Sequence, residues 1–524
     1  MLRSTSKGTS VYRGYLGKSL IKNTVFTRSI ILGADGKPVS NESKTDENVK
    51  NPQLIGLDGK PIVPPQPFTL ADREKTEKLN EKLTNSENLT IILKNMIKTV
   101  GPISIANFMK QCLVNPEYGY YTTRNPLDTK TGDFITSPEI SSTFGEICGL
   151  WFFSTFLNQL RYQATFNREN FKIKEKVFRI IEFGPGKGTL MNDMIRTLNK
   201  FIKNSNPIEI VFIEKSDVLI NEQYKKLCDI ETSKLEKIDQ FTYKSISRWG
   251  NEITWLKDDK PELLNTANND KYMNFVMAHE FYDALPMNRF TKTENGWREY
   301  LVDIRPDAKK DSLLPNVTTI KNNEKSKKFD SEFVVVKAPY ATPSCAIPKT
   351  TPRYDNLPIG SDIEISPESH SYIYEMAKIV QSNEIGAGLV IDYGTTTIPI
   401  NSLRGIKDHK FVNPLSEVGE VDLSIDVDFS SLSEILKDLK FETYVTEQGD
   451  FLNSMGLGYR IDQLMSKFVD NEEMKKKLSS SYKRLTGKGL GDMGKIYKVL
   501  GYYDSRYKDI TPSGFTTSEN ELKK

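Results

Sequence analysis

Cysteine and histidine are scarce in this chain. Its 524 residues include four cysteines and three histidines. The cysteines are widely separated and form no Cys-x-x-Cys pair, which argues against a disulfide framework or a zinc site. The histidines are too scattered along the chain to form a ligand cluster. We therefore predict reduced, mostly buried thiols and no metal centre.

Long apolar runs and dense charge of one sign are also missing. No segment offers the ~18 uninterrupted apolar residues that a membrane-spanning helix needs. The formal net charge is only +3, and there is no basic block dense enough to indicate a groove for nucleic acid. With 37% apolar and 27% charged residues, the composition is typical of a globular protein with polar extensions. We predict no membrane span and no nucleic-acid partner.

Acidic residues are absent from the first 34 positions. Six basic residues recur there among small and hydroxyl side chains: Arg3, Lys7, Arg13, Lys18, Lys22 and Arg28. This composition is typical of a mitochondrial transit peptide, which forms a basic amphipathic helix, and no continuous apolar core of a secretory signal is present. The prediction is a transit peptide over residues 1–34, and the alternative is a disordered basic tail.

The rest of the chain divides by composition. Residues 35–87 are polar and are predicted to be a disordered linker. Order is expected from about Asn88, where an N-terminal helical extension begins. Apolar segments then alternate with amphipathic ones, including the predicted strands "VFRIIEF", "IEIVFIE", "NFVMAHE", "EYLVDI", "FVVVKA" and "GLVIDYG". Repeated β-α-β units predict an α/β fold with a mostly parallel, doubly wound, Rossmann-like sheet over residues 88–504.

Three further features complete the predicted organisation. Polar and proline-rich stretches predict insertions near residues 305–358. The C-terminal part of the domain, from about Phe451, is predicted to be helical. Residues 505–524 are predicted to be a mobile tail.

The segment "RIIEFGPGKGTL", residues 179–190, predicts a binding site. Glu182 ends a strand, and Gly184, Pro185, Gly186 and Gly188 form the turn into the next helix. A helix N-terminus carries unpaired N–H groups and a partial positive charge, and glycines allow a ligand to approach the backbone. The G-x-G-x-G spacing is that of S-adenosylmethionine sites, and a tight turn without a ligand is the alternative.

The following strand supplies a second candidate. It ends at Glu214, whose carboxylate is placed to accept hydrogen bonds from the ribose hydroxyls of an adenosyl group. NAD sites also use an acid there, so Glu214 alone leaves both cofactors open. A Walker phosphate loop is excluded by the spacing. A second glycine pattern, G-x-G-x-x-G at 489–494, follows a helical stretch rather than a strand and is interpreted as a loop.

Seven blocks then occur in order, and together they resemble one known family. They are "GDFITSPEISSTFGE", "EFGPGKGTL", "AHEFYDALP", "GWREYLVDI", "VIDYG", "RGIKDHK" and "VDLSIDVDF". From about Asn88 to Tyr503 the chain resembles the MidA family, the mitochondrial complex I assembly-factor arginine methyltransferases. The resemblance implies a Rossmann-like methyltransferase of the mitochondrial matrix that uses S-adenosyl-L-methionine. It also implies symmetric dimethylation of an arginine on the 49-kDa subunit of complex I. Asp133, Phe134 and Thr136 of the first block join the predicted cofactor contacts.

Carboxylates are the expected catalytic groups for such a reaction. A guanidinium is protonated up to about pH 12, and carboxylates can hold its planar fork and accept the proton that is released. Glu280 follows a predicted strand and Asp283 lies one turn later, while Glu139 lies near a helix start. The alternatives are that Glu280 and Asp283 cap the turn and that Glu139 complements the helix dipole. Asp392, at the end of another strand, is interpreted as structural.

Three hypotheses from different classes remain open at this point. The first is the arginine methyltransferase, and the second is an assembly chaperone that keeps the cofactor fold but acts by protein binding. The third is an NAD-dependent oxidoreductase. Binding of a sulfonium or a nicotinamide cofactor separates the third from the others.

Overall fold

The computed structural model describes residues 83–123, 136–166, 176–202, 206–257, 271–306 and 331–515. These residues belong to one compact unit that spans Lys75–Lys524. The predicted transit peptide, nearly all of the predicted linker, Asp133, Phe134 and most of the first insertion lie outside the described residues.

The α-helices of the described ranges are numbered in chain order. They are α1 (Asn85–Val100), α2 (Ile105–Val114), α3 (Tyr120–Thr123), α4 (Ser137–Ile140), α5 (Ser142–Phe166), α6 (Thr189–Phe201), α7 (Asp217–Leu227), α8 (Pro367–Gln381), α9 (Phe429–Asp438), α10 (Gln448–Ser454), α11 (Leu457–Met465) and α12 (Glu472–Thr486). Helix α1 begins at Asn85, where Thr84 and Glu87 form a reciprocal capping box. Among the helices of these ranges, none is both long enough and apolar enough to cross a membrane.

The β-strands are numbered in the same way. They are β1 (Ile103–Ser104), β2 (Val177–Phe183), β3 (Ile208–Ile213), β4 (Glu236–Lys237), β5 (Thr242–Ile246), β6 (Glu252–Leu256), β7 (Tyr272–His279), β8 (Asn288–Thr293), β9 (Gly296–Ile304), β10 (Phe333–Lys337), β11 (Asp362–Ile365), β12 (Gly386–Thr395), β13 (Arg404–Lys407), β14 (Lys410–Val412), β15 (Asp422–Ser424), β16 (Val427–Asp428), β17 (Phe441–Glu447) and β18 (Tyr497–Asp504).

The large central sheet has the order β17-β18-β12-β7-β2-β3-β6-β5-β4. The run from β12 through β7, β2 and β3 to β6 is parallel. Strand β2 is buried along its whole length, as expected for a parallel strand covered on both faces. The predicted doubly wound, mostly parallel sheet is thereby confirmed.

Strand β2 is the point at which the chain reverses its direction across the sheet. From β2 the chain goes to β3 on one side, and it later returns to β7 on the other side. Ligands of open α/β sheets bind at such a switch point, beyond the carboxyl ends of the strands. The glycine turn after β2 lies at this position.

Two predicted strands lie outside the parallel sheet. "EYLVDI" is part of β9 and "FVVVKA" contains β10, and both belong to a five-stranded antiparallel sheet with β1, β8 and β11. Only two residues join β8 to β9, and Gly296 after them has a φ of 86°. Because parallel strands need a much longer connection, this pair can only be antiparallel. Their assignment to β-α-β units was wrong.

In the described residues of the C-terminal part, the α-helices lie between Gln448 and Thr486. They are followed by β18, which lies antiparallel between β12 and β17 in the central sheet. Gly501 interrupts the apolar run of β18 because a side chain there would meet Phe515, at 2.7 Å, and Trp151, at 3.1 Å. The structure therefore differs from the prediction of a wholly helical C-terminal part.

The segment that follows β18 is packed against the domain. Tyr507 lies in a short 3-10 helix and is fully buried, and its hydroxyl donates a hydrogen bond to the backbone oxygen of Glu384. Phe515 is also buried, against Trp151 and Phe451. The mobile tail predicted from Ser505 is therefore wrong as far as Phe515.

Candidate active site

The glycine turn joins β2 to α6 through left-handed backbone. Gly184, Gly186 and Gly188 have φ angles of 62°, 52° and 77°, a region that residues with a Cβ rarely adopt. The N–H of Gly188 donates to the backbone oxygen of Pro185 at 2.7 Å, and α6 begins at the next residue. The turn therefore requires glycine at these positions, and it exposes the N-terminus of α6 at the switch point.

Glu182 is a buried carboxylate immediately before this turn. Burial raises its pKa to about 8, and among the described residues its Oε2 has no hydrogen-bond partner. An unpaired buried acceptor is costly, so this atom is suited to a ligand that carries N–H or cationic groups. The observation fits the predicted contact with S-adenosylmethionine, whose amino-acid end carries an ammonium.

Glu214 follows β3 on the other side of the turn. Its Oε1 accepts from the N–H of Ser216 at 2.9 Å, and its Oε2 accepts from Nε2 of Gln223 at 3.1 Å. Burial raises its pKa to about 7, and these hydrogen bonds oppose that effect. The carboxylate is therefore held in a fixed orientation beside the glycine turn.

Gln223 connects these two parts of the site. Its Nε2 donates to the backbone oxygen of Gly186 at 2.6 Å as well as to Glu214, and its Oε1 accepts from Nε1 of Trp255 at 3.0 Å. The side chain is fully buried on α7. Gln223 was not predicted as a site residue, although it lies between Leu219 and Leu227 with helical spacing on an apolar face, which was a visible signal.

Glu280 lies at the end of β7, next to β2 in the sheet. It adopts a left-handed backbone conformation with a φ of 49°, which is unusual for a residue with a Cβ. Its Oε1 accepts from the Tyr497 hydroxyl at 2.5 Å and lies 3.7 Å from Nε2 of His279. Burial lowers the pKa of His279 to about 3, so the imidazole is neutral and this contact is not an ion pair.

The environment of Glu280 favours a protonated carboxyl group in the ligand-less protein. Burial raises its pKa to about 8, and the negative charges of Asp283 and Asp422 act in the same direction. The hydrogen bonds from Tyr497 and from the backbone N–H of Ser137 oppose the shift. A cation close to Glu280 would stabilise its carboxylate form.

Asp283 is close to Glu280 but has partners of its own. Its Oδ2 accepts from the Ser424 hydroxyl at 2.9 Å, and its backbone oxygen accepts from the N–H of Ile425. Burial raises the pKa of Asp283, against an opposing effect of Arg404. Asp283 thus ties the loop after β7 to the segment that begins with β15, while it adds negative charge beside Glu280.

Asp392 fixes the backbone around Glu280. Its Oδ2 accepts from the N–H groups of Phe281, Tyr282 and Asp283 at 3.0, 2.8 and 3.3 Å. Its Oδ1 accepts from the N–H of Tyr393 at 2.8 Å, and the side chain is fully buried. These contacts agree with the structural role inferred from the sequence.

Glu139 lies near the start of α6, the helix that follows the glycine turn. Its Oε1 accepts from the Thr189 hydroxyl at 2.5 Å, which ties α4 to the first residue of α6. Thr136 is the N-cap residue of α4 but makes no capping hydrogen bond with its side chain. These contacts place Glu139 at a helix N-terminus, as the alternative interpretation expected.

The glycine turn and the surroundings of Glu280 are adjacent. A Cβ at Gly184 would lie 2.9 Å from Cδ2 of Phe281, the residue that follows Glu280. Tyr497 and Asp422 lie beside Glu280, and Arg404 lies beside Asp283. None of the three was identified as a site residue from the sequence. Arg404 and Asp422 do lie within or next to two of the family blocks, which was the available signal. Within the described ranges, no cluster of three or more histidine, cysteine or acidic side chains could hold a metal ion.

A parallel sheet with a glycine turn at its switch point and buried acids on either side defines a Rossmann-like ligand-binding α/β protein. Residues 151–446 match the model of a family described as "Putative S-adenosyl-L-methionine-dependent methyltransferase". The chain belongs to this family, the MidA family of methyltransferases. Its cofactor is S-adenosyl-L-methionine, as predicted, and the competing hypothesis of an NAD-dependent oxidoreductase is excluded.

Individual relatives agree with this assignment. The human relative, named "Protein arginine methyltransferase NDUFAF7, mitochondrial", is 33% identical over 411 residues, which are 77% of this chain and 81% of the relative. The bovine relative of the same name is 32% identical over 415 residues, 78% of this chain and 82% of the relative. A solved bacterial structure from Burkholderia thailandensis, bound to S-adenosyl-homocysteine, has a TM-score of 0.57 at 19% identity. It covers 83% of this chain and 97% of its own, and it shows the shared fold.

Proposed function

We propose that this methyltransferase dimethylates an arginine of the 49-kDa subunit of mitochondrial complex I symmetrically, in the mitochondrial matrix, and so supports assembly of the complex. The observation that carries the proposal is the largely buried Glu280, which lies beside the glycine turn with Asp283 and Asp422 as acidic neighbours. The names of the relatives, which are called mitochondrial protein arginine methyltransferases, support the substrate class and the compartment.

The residues of the site have separate roles in this proposal. Glu182, the glycine turn and Glu214 hold the cofactor, which supplies a methyl group on a positively charged sulfur. Glu280 holds the guanidinium and orients one nitrogen toward the methyl carbon. As the nitrogen–carbon bond forms, the carbon–sulfur bond breaks and its electron pair stays on sulfur, while Glu280 accepts the proton from nitrogen.

Asp283 and Glu139 are the weaker catalytic candidates. Asp283 shares the pocket and adds negative charge, although Ser424 already occupies one of its oxygens. Glu139 contacts Thr189 at the start of α6 and acts on the cofactor side of the site. Asp133, Phe134 and Thr136 remain predicted cofactor contacts from the family resemblance.

The proposal is tested by incubating the purified chain with S-adenosylmethionine and the 49-kDa subunit, followed by mass spectrometry. We expect one arginine with one methyl on each terminal nitrogen. Glu280→Gln should keep its cofactor affinity and lose roughly 30- to 1000-fold in rate, because one charge-assisted contact contributes about 2–4 kcal/mol to the transition state. Glu294→Gln, at an exposed turn, is the matched control and should behave as wild type.

Two results would contradict the proposal. A Glu280→Gln variant that methylates at the wild-type rate would show that the guanidinium binds elsewhere. A wild-type chain that binds the cofactor and the subunit but transfers no methyl group would favour an assembly chaperone that acts by protein binding.

A further inference from the structure

The outer face of α12 carries a row of basic side chains. Lys476, Lys477, Lys483 and Arg484 are all exposed, and their seven-residue spacing places them on the same face over two turns of the helix. We call these four residues the cationic face. The ion pairs of this region involve Lys475 with Glu472, and Lys488 with Glu447 and Asp450. Among the described residues, no carboxylate lies within ion-pair distance of the cationic face.

The turn after α12 presents one apolar side chain beside this face. Leu490 is exposed to 108% of its reference surface, between Gly489 and Gly491. A Cβ built at Gly491 would lie 3.5 Å from Nη1 of Arg484, so the turn lies next to the cationic face. This turn is the G-x-G-x-x-G sequence at 489–494, which was interpreted as a loop from the sequence and is not part of the cofactor site.

The turn is held in a defined conformation. The N–H of Gly489 donates to Oδ2 of Asp492, and the N–H of Asp492 donates to the backbone oxygen of Gly489. The N–H of Met493 donates to the backbone oxygen of Arg484, and the Met493 side chain is buried. Leu490 is therefore presented to solvent by a turn that these hydrogen bonds hold in place.

We propose that the cationic face and Leu490 bind the surface of an anionic phospholipid membrane. The four cations match the phosphate plane in charge, and an exposed leucine on a small turn can enter the acyl boundary beneath it. A protein interface needs a larger apolar centre and is depleted of lysine. A single-stranded nucleic acid would need exposed aromatic rings for stacking, whereas Tyr482 of this helix is half-buried and donates to Asn453.

The position of this surface relates it to the active site. The turn leads directly into β18, whose first residue, Tyr497, contacts Glu280. Tyr497 is paired with Tyr393 near the carboxyl end of β12, so the turn lies at the edge of the sheet where the active site is found. Membrane binding through this surface would hold the active site close to the lipid headgroups.

The test is sedimentation of the full chain with vesicles at low and high salt. One set contains only phosphatidylcholine, and the other contains about one quarter phosphatidylglycerol. We expect binding to the anionic vesicles alone, and weaker binding as salt rises. The variant Lys476→Gln, Lys477→Gln, Lys483→Gln, Arg484→Gln should lose binding by roughly 600-fold, because about five-fold is lost for each of the four cations. Leu490→Ser should lose roughly 10-fold.

Matched controls separate the surface from general charge. Removing four scattered exposed cations with Lys98→Gln, Lys234→Gln, Lys349→Gln and Lys410→Gln gives the same change in net charge. Ile230→Ser removes an exposed apolar side chain elsewhere, since Ile230 is 63% exposed. Both controls should bind the anionic vesicles nearly as well as wild type.

Several outcomes would overturn the proposal. Equal losses in the test and control quadruple variants would reduce the effect to net charge. Wild-type binding by the cationic-face variant would locate membrane binding elsewhere, for example in the basic N-terminal residues. A cationic-face variant that binds vesicles normally but fails to bind the 49-kDa subunit would assign the surface to a protein partner.

Discussion

The hydroxyl of Tyr497 donates a hydrogen bond of 2.5 Å to Oε1 of Glu280, although 217 positions separate the two residues in the sequence. Tyr497 begins the last strand of the central sheet, while Glu280 follows a strand at its centre. The contact fixes one oxygen of the acid on which the proposed chemistry depends. It also stabilises the charged form of that acid, because the donor is directed at the carboxylate.

Replacing Tyr497 with phenylalanine should change how methyl transfer depends on pH. Burial raises the pKa of Glu280 to about 8, and the hydrogen bond from Tyr497 lowers it. The acting form is the carboxylate, so the rate should rise with pH through this pKa in the wild-type protein. In Tyr497→Phe the midpoint should move to higher pH, and a shift of about one unit makes the rate at neutral pH roughly ten-fold lower.

The measurement is a pH–rate profile between about pH 6 and 10. Tyr444→Phe, on the neighbouring strand β17, is the control, because Tyr444 contacts Tyr503 rather than Glu280. If Tyr497→Phe lowers the rate equally at every pH, the hydroxyl does not act through the ionisation of Glu280.

Gly184→Ala should weaken binding of S-adenosylmethionine. The new Cβ would lie 2.9 Å from the Phe281 ring, so the turn or the ring must shift, at a cost of about 1–3 kcal/mol or roughly 5- to 150-fold in affinity. Gly250→Ala is the matched control, because Gly250 has a φ of 83° but no atoms within 4 Å of its Cβ position. Calorimetry gives both affinities, and thermal unfolding checks the fold. Equal affinities in the two variants would remove the turn from the cofactor site.

Gln223→Leu should impair recognition of the ribose. The substitution removes the donors to Gly186 and Glu214 and leaves buried acceptors unpaired, which costs about 1–3 kcal/mol for each group. S-adenosylmethionine should bind at least ~10-fold more weakly. The preference for adenosine over 2′-deoxyadenosine should also shrink, because Glu214 is no longer oriented. Asn221→Leu, on the exposed face of the same helix, should change neither value. If the affinity for S-adenosylmethionine falls but the preference for adenosine over 2′-deoxyadenosine is unchanged, Gln223 contributes only to packing.

Asp392→Asn should destabilise the loop that carries Glu280. One carboxylate oxygen accepts three backbone N–H groups, and the other accepts the N–H of Tyr393. An asparagine amide has one oxygen, so its NH₂ group would face a donor on one side, at a cost of about 1–3 kcal/mol. Urea unfolding measures the change in the free energy of unfolding, with the exposed Asp355→Asn as control. Unchanged stability would show that the loop has other support.

Deletion of residues 2–34 should abolish import into isolated mitochondria. The import machinery and the membrane potential act on a basic segment that lacks acidic residues, and the deletion removes that segment. Protease protection of the radiolabelled chain measures import. Replacing the six basic residues with glutamine is the second variant, and it should also block import. Full import of the deleted chain would place the signal elsewhere.

The spacing of residues in short segments was sufficient to predict the acids and glycines around the turn after β2. Glu182, the glycine turn and Glu214 lie within strand–turn–helix units, where a short segment determines both the conformation and the position at the edge of the sheet. Glu280 was accessible by the same reasoning, since it follows a buried strand. The contact roles of these residues with the cofactor and the substrate stay predictions.

The rest of the site depends on contacts between distant segments. Tyr497 reaches Glu280 only because β18 inserts between β12 and β17, and its apolar run is interrupted by Gly501. Asp422 accepts from Tyr121 across 301 positions, and no local pattern relates the two. The antiparallel sheet around β9 was missed because apolar alternation does not specify the partner of a strand.

The insertion of β18 also has a consequence for the timing of maturation. A polypeptide leaves the ribosome from its N-terminus, and the glycine turn emerges long before the segment that begins at Tyr497. Until that final segment joins the sheet, Glu280 lacks its tyrosine partner and β12 lacks its neighbour. A nonsense mutation shortly before Tyr497 would therefore retain every predicted cofactor ligand in its product and still yield an incompetent enzyme.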